Sequence, residues 1–136
     1  MPVDARSDQG SITVFVAVIA TALVMVAGMA YDGGQVIATH SEARSVAQKA
    51  ARAGAQQIDL DTLREAGSIA LDPAAAQAAA EAYLNAAGAT GTVRVEGATV
   101  TVTVTLTAAM RILPVADRSI TVTHTATATD ATIGAP

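Results

Sequence analysis

Few residues in this chain combine the type and the spacing that chemistry demands. His40 and His124 are the only histidines, and neither stands at a spacing from a carboxylate that would build a metal site. Asp59, Asp61 and Asp72 bring enough carboxylate together for a calcium ion, yet their spacing fits no recognised calcium loop. A solvated acidic linker accounts for them better. Ser11, Ser41, Ser45, Ser68 and Ser119 lack the context of a nucleophile elbow. Gly33-Gly34 is preceded by no strand and followed by no third glycine or lysine, so it does not cradle phosphate. His124 falls at an inward position of an alternating segment, where a partly buried, hydrogen-bonded side chain is the simpler reading. No catalytic, cofactor-binding or metal-ligating set is assigned, and neither a cofactor nor a small-molecule substrate is expected. The chain reads as a non-enzyme.

Composition narrows the alternatives. The 136 residues carry a formal net charge of -4, which disfavours nucleic acid as a partner. Aromatic residues make up 2 % of the chain, too few for a platform on which bases or sugars stack. Cysteine is absent, so disulfides and thiolate metal sites are excluded. Alanine, valine and threonine supply the apolar content, which implies thin elements packed closely together.

The element on which everything else must be mounted is Ser11–Tyr31, because no charged residue occurs between Asp8 and Asp32. Roughly 20 apolar residues in a helix cross a hydrocarbon core of about 30 Å. In lipid a lone spanning segment has to satisfy its own backbone, so its many β-branched residues do not prevent a helix. Three readings compete: a permanent anchor, a cleaved secretory signal, and the buried core helix of a soluble protein. Small residues at Gly28 and Ala30 favour the signal. The length of the run and a leader in which Arg6 is outnumbered by Asp4 and Asp8 oppose it. A domain of about 100 remaining residues is too small to surround such a helix. The anchor is the reading adopted. Within it Ala17, Thr21 and Gly28 share one helical face, either a packing face for another helix or a coincidence of an alanine-rich segment.

Tyr31-Asp32-Gly33-Gly34 follows, and Gly33 and Gly34 form a candidate hinge where the helix leaves lipid. The bland alternative is simply the point at which the helix meets water. A helical pattern resumes at Gln35 and runs to about Gln57. Ala43, Ala47, Ala50 and Gly54 make a stripe of tiny residues, with Glu42, Ser45, Lys49, Arg52 and Gln56 opposite. Ile58–Asp72 reads as a connection with a short helical turn at 61–67, where Thr62 and Glu65 have capping-box spacing. Asp72-Pro73 opens a second helix, with Ala76, Ala80, Tyr83 and Ala87 on one face and a stop at Gly88.

Thr92–Glu96, Thr99–Thr107 and Ser119–Thr129 alternate with period two and read as three strands. One face, including Val100, Val102, Val104 and Leu106, should pack on the helices, leaving the threonines to water or a neighbouring subunit. The intervening 108–118 stretch, with Met110, Ile112, Leu113 and Pro114, is more apolar than a solvated loop needs to be. It is either tucked under the sheet or a contact patch.

Several blocks in this order resemble a known family. Gly10-Ser11-Ile12-Thr13-Val14-Phe15-Val16, Asp32-Gly33-Gly34, Ala50-Ala51-Arg52-Ala53-Gly54-Ala55, Leu71-Asp72-Pro73 and the terminal Thr/Val strands look like the short TadE/TadG-like proteins of actinobacterial tight-adherence (Tad) pilus systems. The resemblance implies a membrane-anchored minor pilin or pseudopilin, with Gly10 and Ser11 as the candidate processing site. It also implies a cytoplasmic N-terminus, other pilins or pilus assembly proteins as partners, and a place in the plasma membrane or at the cell surface. Charge alone leaves orientation open, since Arg44, Lys49 and Arg52 lie beyond the span. Two features depart from the wider pattern. Phe15 stands where type IV pilin-like precursors usually carry glutamate, and the chain has no room for the von Willebrand factor A-type domain of larger TadG-like proteins.

The expected fold is α+β and pilin-like: a long N-terminal transmembrane and amphipathic helix, a second short helix, and a small antiparallel three-stranded sheet. The expected organisation is a polar leader at 1–10, a transmembrane anchor at 11–31, and a single extracytoplasmic α+β domain at 32–136. A membrane-tethered scaffold or binding protein unrelated to pili, and a secreted Thr-rich β domain released by signal peptidase, are the alternative functions.

Overall fold

The structure is a computed structural model that describes residues 7–128, with side chains from Ile12 onward. One helix dominates it. α1 runs from Ser7 to Ala55, 49 residues without a break, or roughly 70 Å at the α-helical rise. Two shorter helices follow, α2 (Leu60–Ala66) and α3 (Pro73–Ala86), and then β1 (Thr90–Glu96), β2 (Thr99–Ala108) and β3 (Arg118–Thr127). The strands form an antiparallel meander in the order β1-β2-β3. The fold is α+β, with a long apolar N-terminal helix carrying a three-stranded sheet.

The two halves of α1 live in different surroundings. Along the first half, large side chains such as Val14, Phe15, Val18, Leu23 and Val24 are exposed. Along the second, Ala43, Ala47, Ala50 and Ala51 are wholly buried against Ala76, Ala80 and Leu84 of α3 and Val100, Val102 and Val104 of β2. Alanine on the helices and valine on the sheet keep this core thin, so the backbones approach closely. At Gly54 an added Cβ would stand 2.9 Å from the Ala76 carbonyl oxygen and 3.1 Å from Val100 Cγ1. A side chain there would push α1 off both neighbours.

Local signals set the helix ends, with two departures from the sequence expectation. The N-cap of α2 is Asp59, not a Thr62/Glu65 box. Its carboxylate accepts from the Asp61 and Thr62 N–H groups at 3.0 and 3.2 Å and from the Thr62 hydroxyl at 2.7 Å. The Thr62 hydroxyl, with the two amides behind it, holds the Asp59 carboxyl below its ordinary pKa. Asp72 caps α3 with Pro73 in the first turn, as the sequence implies. The buried face of α3 is Ala76, Ala80 and Leu84; Tyr83 is half-buried and Ala87 is exposed at the C-cap. By helical angle Ala87 falls nearer the Ala76/Ala80 line, but it is the C-cap residue beyond the end of α3, whereas Leu84 still lies within the helix and is long enough to reach the core.

The sheet divides its faces by chemistry. Val100, Val102 and Val104 face the helices, while Thr99, Thr101, Thr103 and Thr105 pair across the other face with Thr127, Thr125, Thr123 and Thr121. Each pair shares a hydroxyl hydrogen bond, between 2.9 and 3.3 Å. Cross-strand pairs of this kind contribute roughly 0.2–1 kcal/mol each, so the ladder reinforces the β2–β3 register without needing cover. β3 closes at Thr127, and Thr129 lies outside the described residues.

The division of α1 predicts a contrast between its two faces. Ala47→Leu should overpack the contact with the sheet and lower stability by about 1–3 kcal/mol. Lys49→Leu, at an exposed position, should leave it nearly unchanged. Thermal melts of both full-length variants in detergent check this, and equal melting temperatures would put the buried face elsewhere.

Candidate functional site

The hydrogen bonds between a side chain and the part of the sequence most distant from it meet at one place, where the apolar half of α1 gives way to the packed half. Asp32 is the first charged residue after the apolar run, yet it is only 1 % exposed. A buried carboxylate has to be neutralised or supplied with donors. Its donors come from some 80 residues away in the chain. Leu113 N–H donates to Oδ2 at 2.7 Å, Arg111 N–H to Oδ1 at 3.1 Å, and Ile112 N–H to Oδ2 at 3.2 Å, with Oδ1 at 3.4 Å. Three consecutive backbone amides of the β2–β3 loop thus converge on one side chain of α1.

The same loop is tied elsewhere. Met110 N–H donates to the Asp117 carboxylate at 3.0 Å, closing the neck of the loop. Val115 N–H donates to the Leu113 carbonyl at 2.8 Å, making a tight turn at its tip. One helical turn before Asp32, Ile112 lies directly on Gly28, where an added Cβ would come within 2.6 Å of Ile112 Cγ2. Glycine at 28 is therefore a seat for the loop, and alanine there would displace it. Met29, Gly33, Val36, Met110, Leu113 and Val115 line an apolar crevice around the carboxylate.

The Leu113 amide leads, with Arg111 and Ile112 adding to it, in holding the Asp32 carboxyl below its ordinary pKa against the desolvation that would raise it. A lowered folded pKa means that the contact's contribution is fully present above the unfolded value of about 3.9. It is lost as pH falls from there through the lowered folded value. At neutral pH the clamp is closed.

The residues singled out from the sequence are distributed as follows. Gly10 and Ser11 lie inside α1, which begins at Ser7. Ala17 and Thr21 are exposed and line a shallow apolar groove with Val14, Val18, Ala22 and Met25. The Thr21 hydroxyl is used within the helix, donating to the Ala17 carbonyl at 2.8 Å. Gly28 does not share that open face; Ile112 occupies it. α1 continues through Gly33 and Gly34 as an unbroken helix, and a Cβ at either would meet nothing within 4 Å. Ala43, Ala47, Ala50 and Gly54 all face the core. The three linker aspartates are separate in role: Asp59 and Asp72 cap helices, and Asp61 pairs with Arg64 on the surface. Among the described residues no group of three or more His, Cys, Asp or Glu converges as a metal site would. His40 is exposed, and His124 is half-buried beside Arg52 and Gln56.

Sequence alone suggests a hinge at this point of the helix and does not disclose the Asp32 clamp. Two signals are present in it: a lone carboxylate directly after an uncharged span, and a distant loop too apolar for water. Neither alone names the other as its partner.

The clamp makes a direct prediction. In the full chain held in detergent micelles, hydrogen exchange at the Arg111, Ile112 and Leu113 amides should be slowest in the native protein. It should be faster in Asp32→Asn, which keeps one acceptor oxygen, and fastest in Asp32→Ala, which keeps none while remaining a good helix residue. Equal rates in all three would show that the carboxylate does not hold the loop.

Comparison with known proteins bears on α1 rather than on the sheet. Residues 10–57 match the family model described as putative Flp pilus-assembly TadE/G-like. No curated protein and no solved structure matches the chain. The matched stretch is α1 from its fourth residue, plus the two residues after its end. The similarity points to involvement in Tad pilus assembly. A pilus-assembly family implies a structural rather than a catalytic role and contact with other pilus components.

Proposed function

We propose that this protein is a membrane-anchored, minor-pilin or pseudopilin-like component of a Tad pilus assembly or secretion system, acting through helix–helix and sheet contacts without catalysis. The observation that carries the reading is the division of α1 inside the family-matched stretch. Its first half presents large apolar side chains to the outside, while its second half is sealed into a small α+β domain. By length and composition α1 suffices to cross a membrane. In this reading residues 11–31 form a single-pass plasma-membrane anchor, residues 1–10 a leader, and residues 32–136 the extracytoplasmic domain. The Ala17/Thr21 groove is the face offered to another helix in lipid, where small residues let backbones approach. Gly33-Gly34 is the point at which α1 bends most readily, since glycine in a helix costs about 1 kcal/mol relative to alanine.

Processing at Gly10–Ser11 followed by packing into a filament is disfavoured. If the chain were cut between Gly10 and Ser11 and packed into an apolar filament interior, the new ammonium group would need a partner. The span from Ser11 to Tyr31 contains no carboxylate to provide one, and an unpaired buried charge is costly. Phe15 has nothing to offer it. The chain therefore either keeps its leader or remains a membrane-resident component at the base of the machine.

Three measurements test this. Native protein should remain with membranes through alkaline carbonate and leave in detergent, and Val18→Arg should cost roughly 2.5–3.5 kcal/mol of insertion. Recovery of native chain in the carbonate supernatant would end the anchor reading. In-cell photocrosslinking from positions 17 and 21 should capture other pilins or pilus assembly proteins; capture confined to unrelated membrane proteins would favour a tethered scaffold. Intact mass from the native host decides between a retained and a cleaved leader, and purified filaments should hold no chain beginning at Ser11. A chain beginning at Ser11 in sheared filaments would restore the role of a filament subunit.

A further inference from the structure

The loop between β2 and β3 is built to be rigid and yet is left greasy on its outer side. Its neck is closed by Asp117, its turn by Leu113, and its back by Asp32. Nevertheless Ile112 is 49 % and Val115 57 % exposed. Beyond the contact of Ile112 with Gly28 and the place of Val115 at the crevice, the described residues leave about half of each side chain open, and a loop held this tightly cannot fold them inward.

Its height along α1 says what does. If Ser11–Tyr31 crosses a hydrocarbon core of about 30 Å, the whole run is needed at 1.5 Å per residue. Gly28, three residues before its end, then lies about 4–5 Å inside the boundary. Ile112 sits on Gly28, so it lies at the same depth. Asp32 lies at the boundary itself, and the three amides that donate to it offset the desolvation a bare carboxylate would meet there.

The charge at this rim has the matching sign. Arg111 and Arg118 flank the apolar tip and are exposed, and neither enters an ion pair among the described residues. The nearby acids, Asp32 and Asp117, are engaged by backbone amides instead. Two such guanidinium groups around an apolar wedge suit a layer of lipid phosphates above acyl chains.

We infer that the β2–β3 loop is a second, interfacial membrane contact: Ile112 and Val115 enter the edge of the leaflet that α1 leaves, and Arg111 and Arg118 bind its phosphates. The inference rests on the anchor reading. It adds that the domain is held at a fixed height and rotation on the bilayer instead of swinging from one helix. Asp32 is the positioning residue that sets the loop's depth.

The absence of cysteine in the native sequence makes the test clean. Single cysteines at Val115, Val18 and Thr123 carry an environment-sensitive nitrobenzoxadiazole probe in the full chain. The protein is reconstituted at one copy per nanodisc of phosphatidylcholine and phosphatidylglycerol, with doxyl groups at shallow or deep acyl positions. The Val115 probe should emit to the blue and be quenched more by shallow than by deep doxyl. The Val18 probe should be quenched by deep doxyl, and the Thr123 probe should stay aqueous. Adding Asp32→Ala should reduce quenching at 115 without changing it at 18. An aqueous 115 probe with a deeply quenched 18 probe would overturn the loop contact and leave the anchor standing. A 115 probe that is blue-shifted but not quenched by either lipid would overturn it in favour of cover by protein. Loss of quenching at 18 would remove the anchor and the inference with it.

Discussion

One carboxylate joins two segments that lie some 80 residues apart in the chain. Asp32 belongs to the helix that leads out of the apolar run, and the amides it accepts from belong to the loop that links the last two strands. The buried contacts between α1 and the sheet lie beyond it, through side chains no larger than alanine on the helix and valine on the strand. Such a core fixes distance well, because backbones meet closely, but small apolar side chains give it little directional specificity. The clamp supplies direction. Three donors on one side chain set the rotation of the loop about α1, and Gly28 removes the one side chain that would hold Ile112 away.

The rest of the architecture follows from one helix with two different surfaces. The first half is apolar all round, with no acid or base between Asp8 and Asp32. The second half narrows its apolar side to a stripe of alanines on which β2 and α3 close. The sheet then needs only one apolar face, and threonine on the other satisfies itself through paired hydroxyls. The proposed function suits such a build: one surface to meet lipid or helices, one core to hold shape, and a polar sheet face that stays soluble. The family match at residues 10–57 falls on the element that does the first of these jobs and begins the second.

Much of this is legible in the sequence because it is written in periodicity. The alternation of Val and Thr gives the strands, the spacing of Ala43, Ala47 and Ala50 gives the buried stripe, and Asp72-Pro73 gives the start of α3. What is not legible depends on backbone geometry or on contacts between distant segments. Asp59 and Thr62 offer competing caps within one helical turn, and the extended backbone at Asp59 decides between them. Gly28 reads as a helix-packing residue until Ile112 is placed on it. Asp32 reads as the end of a span, because donors supplied by main-chain amides leave no trace in side-chain identity. The three amides that hold it would be present whatever the residues at 111–113 were, proline apart.

The whole arrangement turns on the Asp32 carboxylate being ionised and held by the loop. Carbon-detected magnetic resonance of the full chain, with labelled aspartate in micelles and Asp32 assigned by its loss in Asp32→Asn, reads that carboxyl directly as pH is lowered. The midpoint should fall below the ordinary value of about 3.9, with the Leu113 amide proton shifting over the same range. A carboxyl titrating at or above the ordinary value, with the Leu113 amide indifferent to it, would contradict the account.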